Sequence, residues 1–178
     1  VIDENGLLAI KAEVSKVHLN DTLYEYIVKI ADASQQIFAI DIISQGFETV
    51  DFLKDENYLC ENAYITAECA LDVALPYLKR TIRHCPVLII GWGRIGKCLG
   101  NLMKSMGADV TVAVRNPNQL AILKALGYHA LNMDALPQSL HHFRLLYNTV
   151  PSPVLSREQM ALCREDCVKI ELASKDGM

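Results

Sequence analysis

The chain has 178 residues, of which 51% are hydrophobic and 21% charged, a balance typical of an ordinary globular protein rather than a disordered or fibrous one. Its formal net charge is −4 and the two signs are interspersed, which argues against a nucleic-acid-binding surface. No apolar run approaches the roughly eighteen residues of a membrane span, and no secretory signal pattern opens the chain, so a cytoplasmic protein is predicted.

Cysteine spacing predicts neither a disulfide framework nor a metal site. The six cysteines include no C-x-x-C pair, so free thiols in a reducing compartment are expected. Cys163 and Cys167 are four residues apart and would share one face of a helix, which leaves metal or redox chemistry there as the alternative.

The first part of the chain, residues 1–60, is expected to be part of a smaller α/β domain. Residues 7–10 and 36–40 are apolar runs of strand length, and residues 23–30 have helical spacing. Residues 61–80 then predict a connecting helix, with Thr66 as its N-cap.

Residues 86–178 alternate between strand and helix patterns. Apolar runs of strand length occupy 87–90, 110–114, 128–131, 145–149 and 168–172, and helical patterns occupy 95–106, 118–126, 136–142 and 156–163. This alternation predicts an α/β fold with a Rossmann-type doubly wound parallel sheet. Such a sheet usually has a sixth strand, whereas the chain starts at Val1 and stops at Met178 just after the fifth, so we expect a fragment of a longer protein.

A glycine-rich turn, Gly91-Trp92-Gly93-Arg94-Ile95-Gly96, follows the first of these strands. It opens a helix inside a β-α-β unit of about thirty residues, which is the context of a dinucleotide-binding site. Gly91 permits the tight turn, Gly93 lets backbone amides approach a pyrophosphate, and Gly96 allows close helix–strand packing. Trp92 is expected to pack over the cofactor edge or against a neighbouring domain. Cys98 stands where a P-loop needs Ser or Thr, so nucleotide hydrolysis is disfavoured.

The residues after the second strand indicate which cofactor is bound. NAD-binding domains place an acid roughly twenty residues past the glycines, where it binds the ribose 2′-hydroxyl. Here Val114 takes that position and Arg115 follows, and an arginine pairs with a 2′-phosphate that a carboxylate would repel. Asn116 adds a neutral hydrogen-bonding group. The sequence therefore favours NADP over NAD, and the alternative is a solvated arginine at a strand end.

Five motifs follow one another along the chain: Glu61-Asn62-Ala63-Tyr64-Ile65-Thr66-Ala67-Glu68, Gly91-Trp92-Gly93-Arg94-Ile95-Gly96, Ala113-Val114-Arg115, Asn148-Thr149-Val150-Pro151 and Leu172-Ala173-Ser174-Lys175. Together they resemble the family of A-type dipicolinate synthase subunits. The resemblance implies a longer two-domain protein that makes dipicolinate from a dihydro- or hydroxytetrahydrodipicolinate with NADP during bacterial sporulation. It also implies that the partner is a flavoprotein-like B-type dipicolinate synthase subunit. The chain departs from the pattern at Cys69, Glu171 and residues 176–178, where the family usually has Gly, Asp and Pro-Gly-Gly.

Contacts to the substrate and nicotinamide are expected where the strands end, because ligands of open α/β sheets bind there. Asn148 and Thr149 are candidates to orient the carboxamide or the substrate, and Lys175 is a candidate partner for a substrate carboxylate. Thr66 and Glu68 are candidates to face the cleft, with helix capping as the alternative. The remaining candidates are Val150 and Ser174 for the cofactor and Ser152 for the substrate.

Two other functions stay open at this point. A related 2-hydroxy-acid dehydrogenase would present an arginine and a His–carboxylate pair, and the five scattered histidines suggest no such pair. A non-catalytic nucleotide-binding module would keep the glycine turn without turnover. For the leading hypothesis, an NADP-dependent oxidoreductase, we expect a small dicarboxylate substrate, a homo-oligomer, and neither nucleic acid nor membrane as partner.

Overall fold

The computed structural model describes residues 54–173 and 177–178. Residues 1–53 of the predicted N-terminal α/β domain lie outside the described residues. Ser174 and Lys175 also lie outside them. Within the described part, no helix is both long enough and apolar enough to cross a membrane.

The first described helix, α1, spans Glu56–Ala74 and begins earlier than the sequence analysis predicted. Its N-cap is Asp55, whose carboxylate accepts hydrogen bonds from the backbone N–H groups of Asn57 and Tyr58. The prediction that Thr66 caps the helix is wrong, because Thr66 lies in the middle of α1 and donates its hydroxyl to the carbonyl of Asn62 at 2.7 Å. Neither glycine nor proline occurs between the two ends of α1, so nothing breaks the helix before Thr66.

Small residues allow α1 to lie close to the sheet. Its buried positions are all alanines, Ala63, Ala67, Ala70 and Ala74, at helical spacing. The fully buried Tyr147 donates its hydroxyl to the carbonyl of Ala70 at 3.4 Å, and burial raises the pKa of that phenol, which therefore stays protonated as a donor. A 3₁₀ turn over Leu75–Tyr77 ends the helix, with proline in its first turn.

Five parallel strands form the sheet. They are β1 (Pro86–Ile90), β2 (Asp109–Val114), β3 (His129–Asn132), β4 (Leu145–Asn148) and β5 (Val168–Glu171). Their spatial order is β3-β2-β1-β4-β5, and each neighbouring pair is parallel. The chain adds β2 and β3 on one side of β1 and then crosses over to add β4 and β5 on the other side. The crevice between β1 and β4 is therefore the topological switch point, where such sheets bind ligands.

The connecting helices lie between the strands along the chain. They are α2 (Arg94–Ser105), α3 (Pro117–Ala125), α4 (Leu136–Ser139), continued by a 3₁₀ turn over Leu140–His142, and α5 (Arg157–Met160). Helix α5 is a single turn held by a capping box between Ser156 and Gln159, shorter than the predicted 156–163. Because it ends before Cys163, that cysteine and Cys167 do not share a helix face, so the alternative of a helical thiol pair is wrong.

Apolar side chains cover both faces of the sheet. On one face, the helices α1, α2 and α3 pack on alternate strand residues such as Ile89 and Val112. On the other, α4 and the turn after it cover Leu88 and Ile90. Burial on both faces explains why β1 is a continuous apolar run, and it confirms the predicted doubly wound Rossmann-type fold.

Candidate dinucleotide-binding site

The glycine turn joins the end of β1 to the start of α2 in very little space. Gly91 has φ of +98°, a conformation that favours glycine, and its N–H donates to the carbonyl of Ala113 at 3.0 Å. A Cβ atom at Gly91 would lie 2.5 Å from Thr149 Oγ1 and 2.8 Å from Val150 Cγ2. A Cβ atom at Gly96 would collide with the carbonyl oxygen of Gly91. Both glycines are therefore required by packing inside the turn.

Gly93 has the opposite surroundings, because a Cβ atom there would meet nothing within 4 Å. It is the N-cap of α2 and offers no side chain to cap the helix. The N–H groups of Arg94, Ile95 and Gly96 in the first turn have no partner inside the helix, as at any helix start. Open space in front of unpaired N–H groups at the positive end of a helix fits a pyrophosphate.

A groove of about 370 Å³ runs from this turn across the carboxyl ends of the strands. Its volume lies within the range of about 300 to 1,000 Å³ that is usual for ligand sites. Residues of the turn, of the ends of β2 and β4 and of the segments after them line it: Gly91, Trp92, Gly93, Val114, Arg115, Asn116, Gln119, Met133, Thr149, Val150, Pro151 and Val154. Seven of the predicted cofactor-binding residues thus share one groove.

Arg115 and Asn116 directly follow β2 and line the groove. Arg115 is exposed and makes no ion pair with any residue that the structure describes. The side-chain oxygen of Asn116 accepts a hydrogen bond from the N–H of Asn118 at 2.9 Å and caps α3. Asn116 therefore has a structural role in addition to any contact that its amide nitrogen makes with a ligand.

Thr149 supports the glycine turn from the neighbouring strand. Its hydroxyl donates to the carbonyl of Ile90 at 2.9 Å, and its backbone N–H donates to the same oxygen at 3.0 Å. The hydroxyl oxygen also lies against Gly91 and Gly96. Thr149 therefore fixes the end of β4 against the end of β1 and lines the groove beside the turn.

Asn148 is fully buried and is used entirely within the protein. Its amide nitrogen donates to both carboxylate oxygens of Glu171, at 2.8 and 3.1 Å, and its amide oxygen accepts from the N–H of Val150 at 3.1 Å. Glu171 also accepts from the backbone N–H groups of Ala173 and Gly177. Asn148 thus joins the ends of β4 and β5, and the structure gives it a positioning role rather than the direct contact that we predicted.

Trp92 lines the groove, but most of its indole lies in the core. It lies in the core with 9% of its surface exposed. Its ring packs edge-on against Tyr128, with centroids 5.1 Å apart, and lies over Gly100 of α2. A bulky apolar side chain at this position gains more from burial under α2 than from exposure at the groove.

Helix α1 contributes residues to a pocket beside the glycine turn. Leu59, Asn62 and Ala63 line a smaller pocket of about 230 Å³ beside the turn, together with Gly93, Arg94, Ile95 and Thr149. Thr66 and Glu68 line neither this pocket nor the groove. The same holds for Ser152, whose N–H donates to the carbonyl of Val150 at 2.9 Å.

An ion pair connects α1 to the glycine turn. Arg94 donates through Nε and Nη2 to the two carboxylate oxygens of Glu56, at 2.8 and 2.7 Å. This contact holds the pKa of Glu56 below its usual value and raises that of Arg94. Sequence reasoning missed Glu56, Asn62 and Glu171. Only the spacing of residues 59, 62 and 63, one face of a helix, offered a signal.

Three similarities to known proteins agree with this geometry. A model of the TrkA-N domain matches residues 87–145. Over 116 residues the chain is 26% identical to the A-type dipicolinate synthase subunit of Bacillus subtilis (strain 168), which covers 65% of this chain and 39% of that protein. The crystal structure of the corresponding dipicolinate synthase subunit from Bacillus halodurans has a TM-score of 0.69 at 25% identity, over 76% of this chain and 47% of that one. The chain resembles the A-type subunit of dipicolinate synthase.

The resemblance predicted from the motifs is therefore confirmed. An L-alanine dehydrogenase structure matches with a TM-score of 0.56 at 14% identity, over 64% of this chain and 38% of that one, which shows the shared fold alone. These relatives and neighbours are two dipicolinate synthase subunits and one dehydrogenase. The chain spans less than half the length of each of them. Among the described residues, no group of three or more His, Cys, Asp and Glu side chains is placed to hold a metal ion.

Proposed function

We propose that the chain carries the cofactor-binding part of an NADP-dependent oxidoreductase that is similar to the A-type subunit of dipicolinate synthase. The observation that carries the proposal is the uncapped amino end of α2 at Gly93, which opens toward a groove that reaches Arg115. Unpaired N–H groups with room for an anion suit a pyrophosphate. The 26% identity to a dipicolinate synthase subunit supports the class of reaction.

The residues of the turn bind and orient the dinucleotide. The N–H groups of Arg94, Ile95 and Gly96 donate to pyrophosphate oxygens, and the dipole of α2 favours their negative charge. Thr149 keeps the turn at the end of β1, since its hydroxyl is held by the Ile90 carbonyl. When bound, the nicotinamide accepts a hydride, and the protein positions the two reacting rings.

Arg115 selects NADP over NAD in this proposal. Its guanidinium has no competing ion pair within the described residues and lines the same groove as the turn. It pairs with the 2′-phosphate, and Asn116 adds a hydrogen bond from its amide nitrogen. No carboxylate among the groove-lining residues would repel that phosphate.

The substrate in this proposal is a dihydro- or hydroxytetrahydrodipicolinate, which is oxidised to dipicolinate. The support is the similarity to a dipicolinate synthase subunit, together with the pocket beside the turn, where Asn62 and Arg94 offer polar groups. We propose that Ser174 and Lys175 contact the nicotinamide and a substrate carboxylate. A homo-oligomer, a cytoplasmic location and, as partner, the B-type subunit of dipicolinate synthase complete the proposal.

The Arg115→Ala variant tests the cofactor assignment. We expect its affinity for NADPH to fall by about tenfold or more, because a charge-assisted bidentate contact is lost, while its affinity for NADH changes less than about twofold. Nicotinamide fluorescence measures both, and Lys124→Ala on α3 serves as a control that removes a surface charge away from the groove.

Turnover is measured with the same samples and a dihydrodipicolinate. Reduction of NADP that depends on this compound supports the proposed reaction. Tight NADPH binding without turnover, also in the presence of a candidate B-type subunit, would contradict the proposed activity and leave a nucleotide-binding module.

A further inference from the structure

A second cleft lies at the amino ends of the strands, where β4 and β5 begin. Its volume is about 450 Å³, within the usual range for small-molecule sites. One wall consists of residues 77–80, which follow α1, and the other consists of Arg144 and residues 165–170. Because all five strands are parallel, their amino ends are remote from the glycine turn, which follows the carboxyl end of β1. No residue lines both the cleft and the groove.

The charges of this cleft are mostly positive. Four basic residues and two acidic ones line it: Lys79, Arg80, Arg144, Lys169, Glu165 and Asp166. This excess contrasts with the formal net charge of −4 of the whole chain. A cleft with an excess of one charge concentrates ligands of the opposite charge, here anions.

The basic side chains of one wall are paired within the protein, whereas those of the other wall are not paired with any described residue. Arg144 forms an ion pair with Asp166, which also accepts from Nε of Arg164 at 2.8 Å. Lys169 donates to the carbonyl of Cys167 at 3.3 Å. Lys79 and Arg80 are exposed, and neither forms a hydrogen bond or an ion pair with any residue that the structure describes. Two cations on one wall are therefore available to a ligand.

The same cleft has apolar surface next to these cations. The side chain of Tyr77 is 70% exposed, and Leu78, Val168 and Ile170 also line the cleft. An inorganic anion would gain nothing from this surface. A flat ring packs on it while its acidic group reaches the cations.

We propose that this cleft binds a small aromatic carboxylate. Lys79 and Arg80 pair with the carboxylate, and Tyr77 and Leu78 pack against the ring. The site is separate from the dinucleotide groove and does not depend on the function proposed for that groove.

Calorimetric titration of the whole chain with benzene-1,3-dicarboxylate tests the proposal, with inorganic phosphate as the anion that lacks a ring. We expect saturable binding of the dicarboxylate that the double variant Lys79→Gln, Arg80→Gln weakens at least about tenfold. Lys124→Gln is the matched control and should bind like the unaltered chain. Saturating NADPH should leave the affinity unchanged, because the two sites share no residue.

Three results would overturn the proposal. They are the absence of binding, equal affinity for phosphate and the dicarboxylate, and competition between the dicarboxylate and NADPH. Circular dichroism verifies that the double variant is folded, which is expected because both side chains are exposed. An unchanged affinity in that folded variant would also place the ligand elsewhere.

Discussion

Gly93 and Gly96 differ by only three positions in the glycine turn, but the space around them differs completely. A Cβ atom at Gly96 would collide with the carbonyl oxygen of Gly91, whereas one at Gly93 would meet nothing within 4 Å. We therefore expect Gly96→Ala to lower the free energy of unfolding by about 1 to 3 kcal/mol, through overpacking of the turn. Gly93→Ala is the matched control and should be close to neutral. Urea unfolding measures both, and equal stabilities would contradict the geometry of the turn.

Gly93→Asp separates folding from binding at the same position. The backbone of Gly93, with φ of −77° and ψ of −164°, suits any residue, and aspartate is a good N-cap. We expect the variant to be at least as stable as the unaltered chain, because its carboxylate caps the N–H groups of α2. Its affinity for NADPH should fall at least about tenfold, since that carboxylate occupies and repels the pyrophosphate position. A stable variant with unchanged affinity would show that the pyrophosphate binds elsewhere.

Helices α1 and α2 meet at the ion pair between Glu56 and Arg94, beside the proposed pyrophosphate position. A bound pyrophosphate competes with Glu56 for the guanidinium, so we expect Glu56→Gln to strengthen NADPH binding by a few-fold at low ionic strength. Both side chains are exposed, so high salt should reduce the effect. Glu61→Gln, one helical turn and a half further along α1, is the control for loss of one negative charge. Weaker binding by Glu56→Gln in the same titration would contradict this competition.

The starts of β4 and β5 are joined by the pairing of Asp166 with Arg144 and Arg164. The hydrogen bond from Arg164, helped by the positive charges of both arginines, holds the pKa of Asp166 below its ordinary value of 3.8. A carboxyl group with a lowered folded-state pKa stabilises the fold above its unfolded pKa and loses that effect as the pH falls through the folded pKa.

We therefore expect Asp166→Asn to lower the melting temperature at pH 7. The difference in melting temperature from the unaltered chain should shrink below about pH 4. At such pH values Asp166 is increasingly protonated, first in the unfolded state and then in the folded state. Thermal unfolding at several pH values measures this. Asp134→Asn is the control, because Asp134 forms no ion pair within the described residues. An effect of Asp166→Asn that stays constant from pH 7 to pH 3 would rule out a contribution from its charge.

Patterns within one element predicted most of the fold. The strands and the helices α2 and α3 agree with the apolar runs and glycine stops to within one or two residues, because burial on both faces leaves a continuous apolar signal. The predicted start of α1 was wrong because threonine is also a favourable N-cap residue. The stronger N-cap Asp55 and the absence of a helix breaker between Asp55 and Thr66 place the start earlier. Helix α5 was predicted too long because its capping box marks a start but nothing marks the early end.

The sequence predicted the site residues whose role follows from a local backbone motif. It did not predict contacts between side chains that are far apart along the chain. The glycines of the turn carry their own local reason, and Arg115 follows from its position after β2. The pair of Glu56 with Arg94 spans 38 residues, and the pair of Asn148 with Glu171 spans 23. No periodicity in one sequence reports such contacts. The burial of Trp92 also depends on Gly100 and Tyr128, which approach it only in the folded chain.

The part of the chain that the structure describes has a cleft at each end of the parallel strands. At the carboxyl edge, the glycine turn, Arg115 and Thr149 surround a groove suited to a dinucleotide. At the amino ends of the strands, Lys79 and Arg80 lie beside Tyr77 in a cleft suited to an organic anion. The chain matches less than half the length of the dipicolinate synthase subunits that it resembles.

The central claim is that the amino end of α2 binds the pyrophosphate of NADP. A fluorescence titration of the whole chain with NADPH, and separately with NADH, tests it most directly. We predict saturable binding of NADPH that is tighter than that of NADH and is displaced by ADP-ribose, which carries the pyrophosphate but no nicotinamide. Binding of neither nucleotide to protein that is folded by circular dichroism would contradict the claim.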